Sequence, residues 1–186
     1  NLGNYYYNHG NYVLAHDYYQ NGLEIRQVNP AFSEVRLIHS LYNAGRVHAM
    51  LGENEKAMAL YQQSLEANMK YSSVLASDCS LLSPVDYAIS CQCLGDLYLK
   101  LFKRKNETVN IEKAKQFYDR AVNTYDSLLF TAPIEASKTH INYLKKEIVE
   151  QYLNCYLTNG NFTGSSKEDT LQVVTLLDKC HNYVLF

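Results

Sequence analysis

The chain has 186 residues, of which 47% are hydrophobic and 19% charged, with a net charge of −2 and an isoelectric point near 6.3. That composition suits a chain that buries a continuous core, and it excludes wholesale attraction to phosphate backbones or acidic membranes. No apolar run approaches the roughly 20 residues of a membrane span and no signal-peptide pattern is present, so neither membrane nor nucleic acid is an expected partner.

The spacing of apolar residues predicts helices near 1–9, 11–28, 32–51, 54–71, 84–103, 110–129, 134–159 and 167–183, and no strand. In the first pair, Leu2, Gly3 and Tyr6 read as a helix with one position lacking a side chain, so that a neighbour can approach, and Gly10 breaks it. After the break, Tyr12, Ala15, Tyr19 and Leu23 form an apolar stripe on a second helix. The same block returns 42 residues later: Asn1, Gly3, Gly10, Ala15, Tyr19 and Leu23 recur as Asn43, Gly45, Gly52, Ala57, Tyr61 and Leu65. A fixed offset shared by small, apolar and aromatic residues marks a repeated structural unit.

The later copies are less regular. Gly95 follows Gly45 by 50 residues, which places 8 extra before the third repeat, in the Ser-rich stretch Ser72 to Pro84. Ala114 follows Ala57 by 57, which places a further 7 in the polar segment Lys103 to Asn110, where loops would absorb them. A fourth repeat is read from Leu153, Tyr156 and Gly160. Pro30, Pro84 and Pro133 fall at or just before the starts of first helices, where a missing amide does least harm. The chain is thus expected to be one domain over residues 1–186, with repeats at about 1–30, 31–72, 84–130 and 134–183. Because it begins with Asn1 inside a helix, it is expected to be a piece of a longer protein.

These residues resemble the tetratricopeptide repeat. Its Leu-Gly-x-x-Tyr element is matched at Leu2 to Tyr6 and Leu94 to Tyr98. Its Ala-x-x-x-aromatic element is matched at Ala15/Tyr19, Ala57/Tyr61 and Ala114/Tyr118. The usual period is about 34 residues, so 42 is longer by roughly one helical turn per helix. With the runs NLGNYYYNHGNY and GLEIRQVNP, this looks like the long-repeat subclass of kinesin light chains and LGN/Pins adaptors. The resemblance implies an all-α fold, an α-solenoid wound as a right-handed superhelix of about four helix-turn-helix repeats. It also implies a concave groove, lined by the first helix of each pair, that holds a protein or peptide partner.

The groove residues are then the first-helix positions off the packing stripe. They are Asn1, Asn4 and Asn8; Asn43, Arg46 and Met50; Cys93, Asp96 and Lys100; and Gln151, Asn154 and Thr158, with His39, Tyr42 and Gln92 beside them. Each set steps by three and then four, which puts it on one helix face. Asparagine offers a donor and an acceptor to a peptide backbone, Arg46 can fork onto a carboxylate, and Asp96 with Lys100 can select charge. The resemblance gives Asn1 and Asn43 the role of peptide-backbone holders. Cys93 departs from that pattern.

Little points to chemistry. His9 and His16 are seven apart across a helix break, and His39 and His48 are nine apart, so no pair has the spacing of a helical metal site. Glu147 and Glu150 share a helix with Lys145 and Lys146 and read as a mixed polar surface, and Lys100, Lys103, Arg104 and Lys105 as a solvated one. There is no phosphate-binding glycine loop and no nucleophile elbow, so neither enzymatic activity nor a cofactor is expected. Five cysteines cannot all pair, which favours a reducing, intracellular and cytoplasmic setting. The glycosylation-like triplets at Asn106 and Asn161 carry no weight without a secretory signal. The alternative to a groove-binding adaptor is a solenoid wall in a large assembly such as a ubiquitin ligase, contacted through loops and convex surfaces. Self-association through unpaired terminal repeats is compatible with either.

Overall fold

The structure, a computed structural model, describes residues 2–28, 34–75, 81–131, 135–158, 171 and 173–178. It contains helices α1 (Leu2–Asn8), α2 (Tyr12–Val28), α3 (Glu34–Met50), α4 (Asn54–Leu75), α5 (Pro84–Lys105), α6 (Thr108–Thr131) and α7 (Glu135–Thr158). Residues 171 and 173–178 are helical as well, and no strand occurs among the described residues. Asn1, Pro30, Pro133 and the triplet at Asn161 lie outside them. The chain divides into two compact units, Asn1–Cys93 and Leu94–Phe186, and the division falls inside α5.

The turns follow from a few residues. Gly10 (φ 74°) and Gly52 (φ 82°) end α1 and α3 in the left-handed region, which costs glycine nothing. Each is followed by an amide reaching back five residues, Asn11 to the Tyr6 carbonyl and Glu53 to the His48 carbonyl, both at 2.9 Å, a Schellman closure. After α5 the same place is taken by Asn106 (φ 55°), whose amide bonds the Phe102 carbonyl at 2.7 Å. Asparagine is the side chain that best tolerates this conformation. Asn11 caps α2 by accepting the Leu14 amide at 3.2 Å. Ser83 precedes Pro84, the first residue of α5, and its hydroxyl donates to Asp86 at 2.7 Å.

The seven residues expected to form a loop between Lys103 and Asn110 do not. α5 runs on to Lys105 and α6 begins at Thr108, leaving only Asn106 and Glu107 as a connection. The insertion lengthens two helices because Phe102, Asn110 and Ile111 are buried, which anchors both ends of the turn. Lys103, Arg104 and Lys105 sit in the last turn of α5, where positive charge complements the helix dipole.

In the packing core, each of the first three repeats places a glycine of its first helix against a tyrosine of its second. A Cβ on Gly3, Gly45 or Gly95 would lie 2.7 Å from Cε1 of Tyr19, Tyr61 or Tyr118 respectively, closer than real Cβ contacts. The glycine lets the edge of the ring come up against the helix backbone. Beside it Ala15, Ala57 and Ala114 are fully buried, which explains why alanine recurs. In the first unit Ala15, Tyr19, Ala44 and Val47 form one cluster, covered by Tyr6, Tyr7, Tyr12 and Leu60. In the second, α6 packs on α7, with Tyr118, Tyr125, Ile148 and Val149 buried. The Lys145 side chain belongs to this core and pairs with Asp126 of α6, which corrects the expectation that Lys145 is surface.

Candidate functional site

In the first and third repeats, the polar residue immediately after the packing glycine is held by the same tyrosine. Asn4 is exposed and its Oδ1 accepts the Tyr19 hydroxyl. Asp96 is exposed and its Oδ1 accepts the Tyr118 hydroxyl at 2.6 Å. In the second repeat that place is held by Arg46, which cannot accept. There the Tyr61 hydroxyl meets Cys93, and burial drives its pKa upward. Asn4 and Asp96 are therefore set by the fold, a role the sequence signals only through their position next to glycine.

On α3 the expected groove residues are more enclosed than their spacing predicts. Asn43 is only 2% exposed, its Nδ2 donates to the His39 carbonyl at 2.8 Å, and its Oδ1 accepts from Arg46 Nη1 at 3.3 Å. The expectation that its amide stands open to a partner's backbone is thus corrected. α3 packs against both α2 and α4 and buries Ile38, Ser40 to Gly45, Val47 and His48, so it has little solvent face to offer. Arg46 is half-buried, with its guanidinium carbon 4.2 Å above the centre of the Tyr7 ring. Tyr42 is buried too; burial first, and the nearby Asp86 charge second, push its hydroxyl up to about 12. His39 is half-buried, edge-on to Tyr42 at 4.9 Å. Asn8 and Met50 are exposed and Gln92 and Cys93 half-buried, while Asn1 is not among the described residues.

Asn43→Ala is consequently expected to lower stability by about 1–3 kcal/mol, because it strips an amide from the His39 carbonyl and from Arg46 inside the fold. Urea unfolding followed by circular dichroism measures this, and an unchanged midpoint would show the amide to be dispensable to the core.

The second unit brings expected residues from two helices together. Asp96 and Lys100 of α5 and Gln151 of α7 line one concavity of about 370 Å³, with Leu99, Lys103 and Glu147. Lys103 and Glu147 are additions, since the spacing assigned both to solvated surface; Lys103 stands one turn beyond Lys100, and Glu147 one turn before Gln151. Although Asp96 keeps access to solvent, desolvation by the protein around its carboxyl, and secondarily the Glu147 carboxylate, raises its pKa, while the Tyr118 hydrogen bond opposes them. Asn154 is half-buried and donates to Gln151 at 3.5 Å, and Thr158 is exposed.

The sign of that shift is testable. A carboxyl whose folded pKa is raised costs stability above its unfolded pKa, and the cost disappears as pH falls through the folded value and the group protonates. Asp96→Asn keeps an acceptor for Tyr118, so at neutral pH it is expected to melt at or slightly above the wild-type temperature. The difference should vanish as pH enters the carboxylate range; a gap that widens on acidification would contradict it.

Among the described residues, no three His, Cys, Asp or Glu side chains are grouped to hold a metal ion, and no helix is long and apolar enough to cross a membrane. The cysteines there are Cys91, Cys93 and Cys155, and burial pushes the Cys155 thiol up to about 12, which makes it a poor nucleophile.

No family model matches the chain, and no curated protein matches it by sequence. Solved structures do match. The crystal structure of BtubC (BKLC) from P. vanneervenii is similar with a TM-score of 0.53 at 13% identity, over 98% of this chain and 71% of that one. At that identity the likeness is one of fold. With the consecutive helix pairs and the repeated glycine–tyrosine contact, it makes the chain an all-α helical-repeat protein of the solenoid class.

Proposed function

We propose that the chain is a non-enzymatic, intracellular adaptor of the long tetratricopeptide-repeat type, and that the polar faces of its first helices bind an extended or helical segment of a partner protein. The observation that carries this reading is the second-unit concavity. Asp96, Lys100 and Gln151, taken from helices that are far apart in sequence, converge with Lys103 and Glu147 on one open, mixed-charge surface. Such a surface offers donors, acceptors and both signs of charge to a peptide. The BKLC name of the structural neighbour, and the period of 42 residues, support the same class.

In the first unit the contribution moves from Asn43, whose amide is spent within the fold, to Asn4 and Asn8 on α1 and to the half-buried Arg46. The test is a peptide selected against the wild-type protein from a display library and titrated by fluorescence polarisation. Lys100 is exposed and Gln151 half-buried with one long hydrogen bond from Asn154, so Lys100→Glu and Gln151→Ala should fold normally. Together they are expected to weaken that peptide about tenfold or more, the loss of one or two charge-assisted contacts. Unaltered affinity would instead favour a structural subunit held by its loops and convex surface.

A further inference from the structure

In the first unit, a second cavity of about 380 Å³ opens between α2 and α3. Its ionisable lining is lopsided: Arg26 comes from α2, Arg36 and His39 from α3, and the one carboxylate, Asp86, from the start of α5. Asp86 is already engaged, since its Oδ2 accepts the Ser83 hydroxyl at 2.7 Å and its Oδ1 lies 3.4 Å from His39 Nδ1. The two guanidinium groups keep donors to spare. Arg26 spends Nη1 on the Gly22 carbonyl at 2.8 Å, but its Nε is buried with no hydrogen-bond partner. Buried donors left in that state are rare and costly. Arg36 is exposed and its guanidinium has no ion-pair partner among the described residues. Tyr18 and Val35 add apolar wall.

We propose that this cavity binds a phosphoryl group. Two guanidinium forks and an imidazole present more donors than the two oxygens of a single carboxylate can use. A phosphate monoester brings three acceptor oxygens and nearly two negative charges. The chain carries net negative charge, so the attraction is local to this cavity and not a property of the whole surface. The volume matches that of small-ligand sites. The phosphoryl group can come from a phosphorylated side chain of a partner protein or from a small phosphate ester, and the chemistry of recognition is the same.

The probe is inorganic phosphate, titrated against the intact chain at constant ionic strength with chloride and acetate as controls, and read by melting temperature and phosphorus NMR line width. Phosphate is expected to raise the melting temperature saturably and to broaden its own resonance, where chloride and acetate do not. Arg36→Gln, an exposed change, is expected to weaken this about tenfold, the loss of a charge-assisted hydrogen bond. Arg26→Gln should do the same where it folds. Phenyl phosphate and a phosphoserine pentapeptide then separate the two sources by which binds more tightly. An equal response to acetate, no response specific to phosphate, or a response that survives Arg36→Gln would overturn the proposal. It does not rest on the peptide surface: Lys100→Glu in the other unit should leave phosphate binding intact, so either reading can fail without the other.

Discussion

Gly45→Val and Gly95→Val are each expected to destabilise the protein by about 3 kcal/mol, the upper range for overpacking a core. A Cβ at either site would stand 2.7 Å from Cε1 of Tyr61 or Tyr118, and both rings are almost wholly buried, so neither can swing aside. The better helix propensity of valine returns only a few tenths of a kcal/mol. Thermal melts followed by circular dichroism should show a drop of about 6–12 °C for a chain of this size. Gly22→Ala supplies the contrast. Its nearest neighbour is Nη1 of Arg26 at 2.6 Å, the far end of a flexible side chain, so the substitution is expected to be neutral or stabilising by up to about 1 kcal/mol. If Gly45→Val melted like wild type, the glycine–tyrosine contact would not be what holds the helices of a repeat together.

Asp126→Ala carries the second large effect. The Lys145 side chain is 4% exposed and pairs with Asp126, itself 36% exposed. Removing the carboxylate takes a counter-charge away from an ammonium buried between α6 and α7. The penalty for breaking a fully buried pair is about 3–5 kcal/mol, and the partial exposure of Asp126 puts this one near the lower end. Lys145→Met removes the charge and keeps the length of the stem, so it is expected to cost much less. Combined with Asp126→Ala it should recover most of the loss. Urea unfolding of the four proteins in this cycle measures the coupling. Additive losses would mean that the two side chains do not depend on each other.

The helices and their packing residues were legible in the sequence because one physical demand recurs at one offset. The edge of a ring must come up against a helix backbone, so Gly3, Gly45 and Gly95 face Tyr19, Tyr61 and Tyr118, and no other residue type meets that demand. What the sequence did not disclose has physical causes. Asn43 looked like a groove residue because a helical step of three and four defines a face, yet spacing cannot tell that neighbours on both sides enclose α3. Lys145 looked like surface because charge usually is; inside the fold it pairs with Asp126, nineteen residues earlier on α6, a contact no local pattern reports. The insertion after Lys103 was polar enough for a loop, but Asn106 in a left-handed turn let both helices continue to it. Lys103 and Glu147 join the second-unit surface because residues of α5 and α7 line one concavity, which no local pattern reports.

The most direct test of the functional reading is amide hydrogen exchange of the whole chain with and without the selected peptide. Protection is expected to concentrate on the stretches that carry Asp96 to Lys103 and Glu147 to Gln151, with the solvent-facing parts of α6 unchanged. Protection confined to α6, to loops or to neither helix would contradict it.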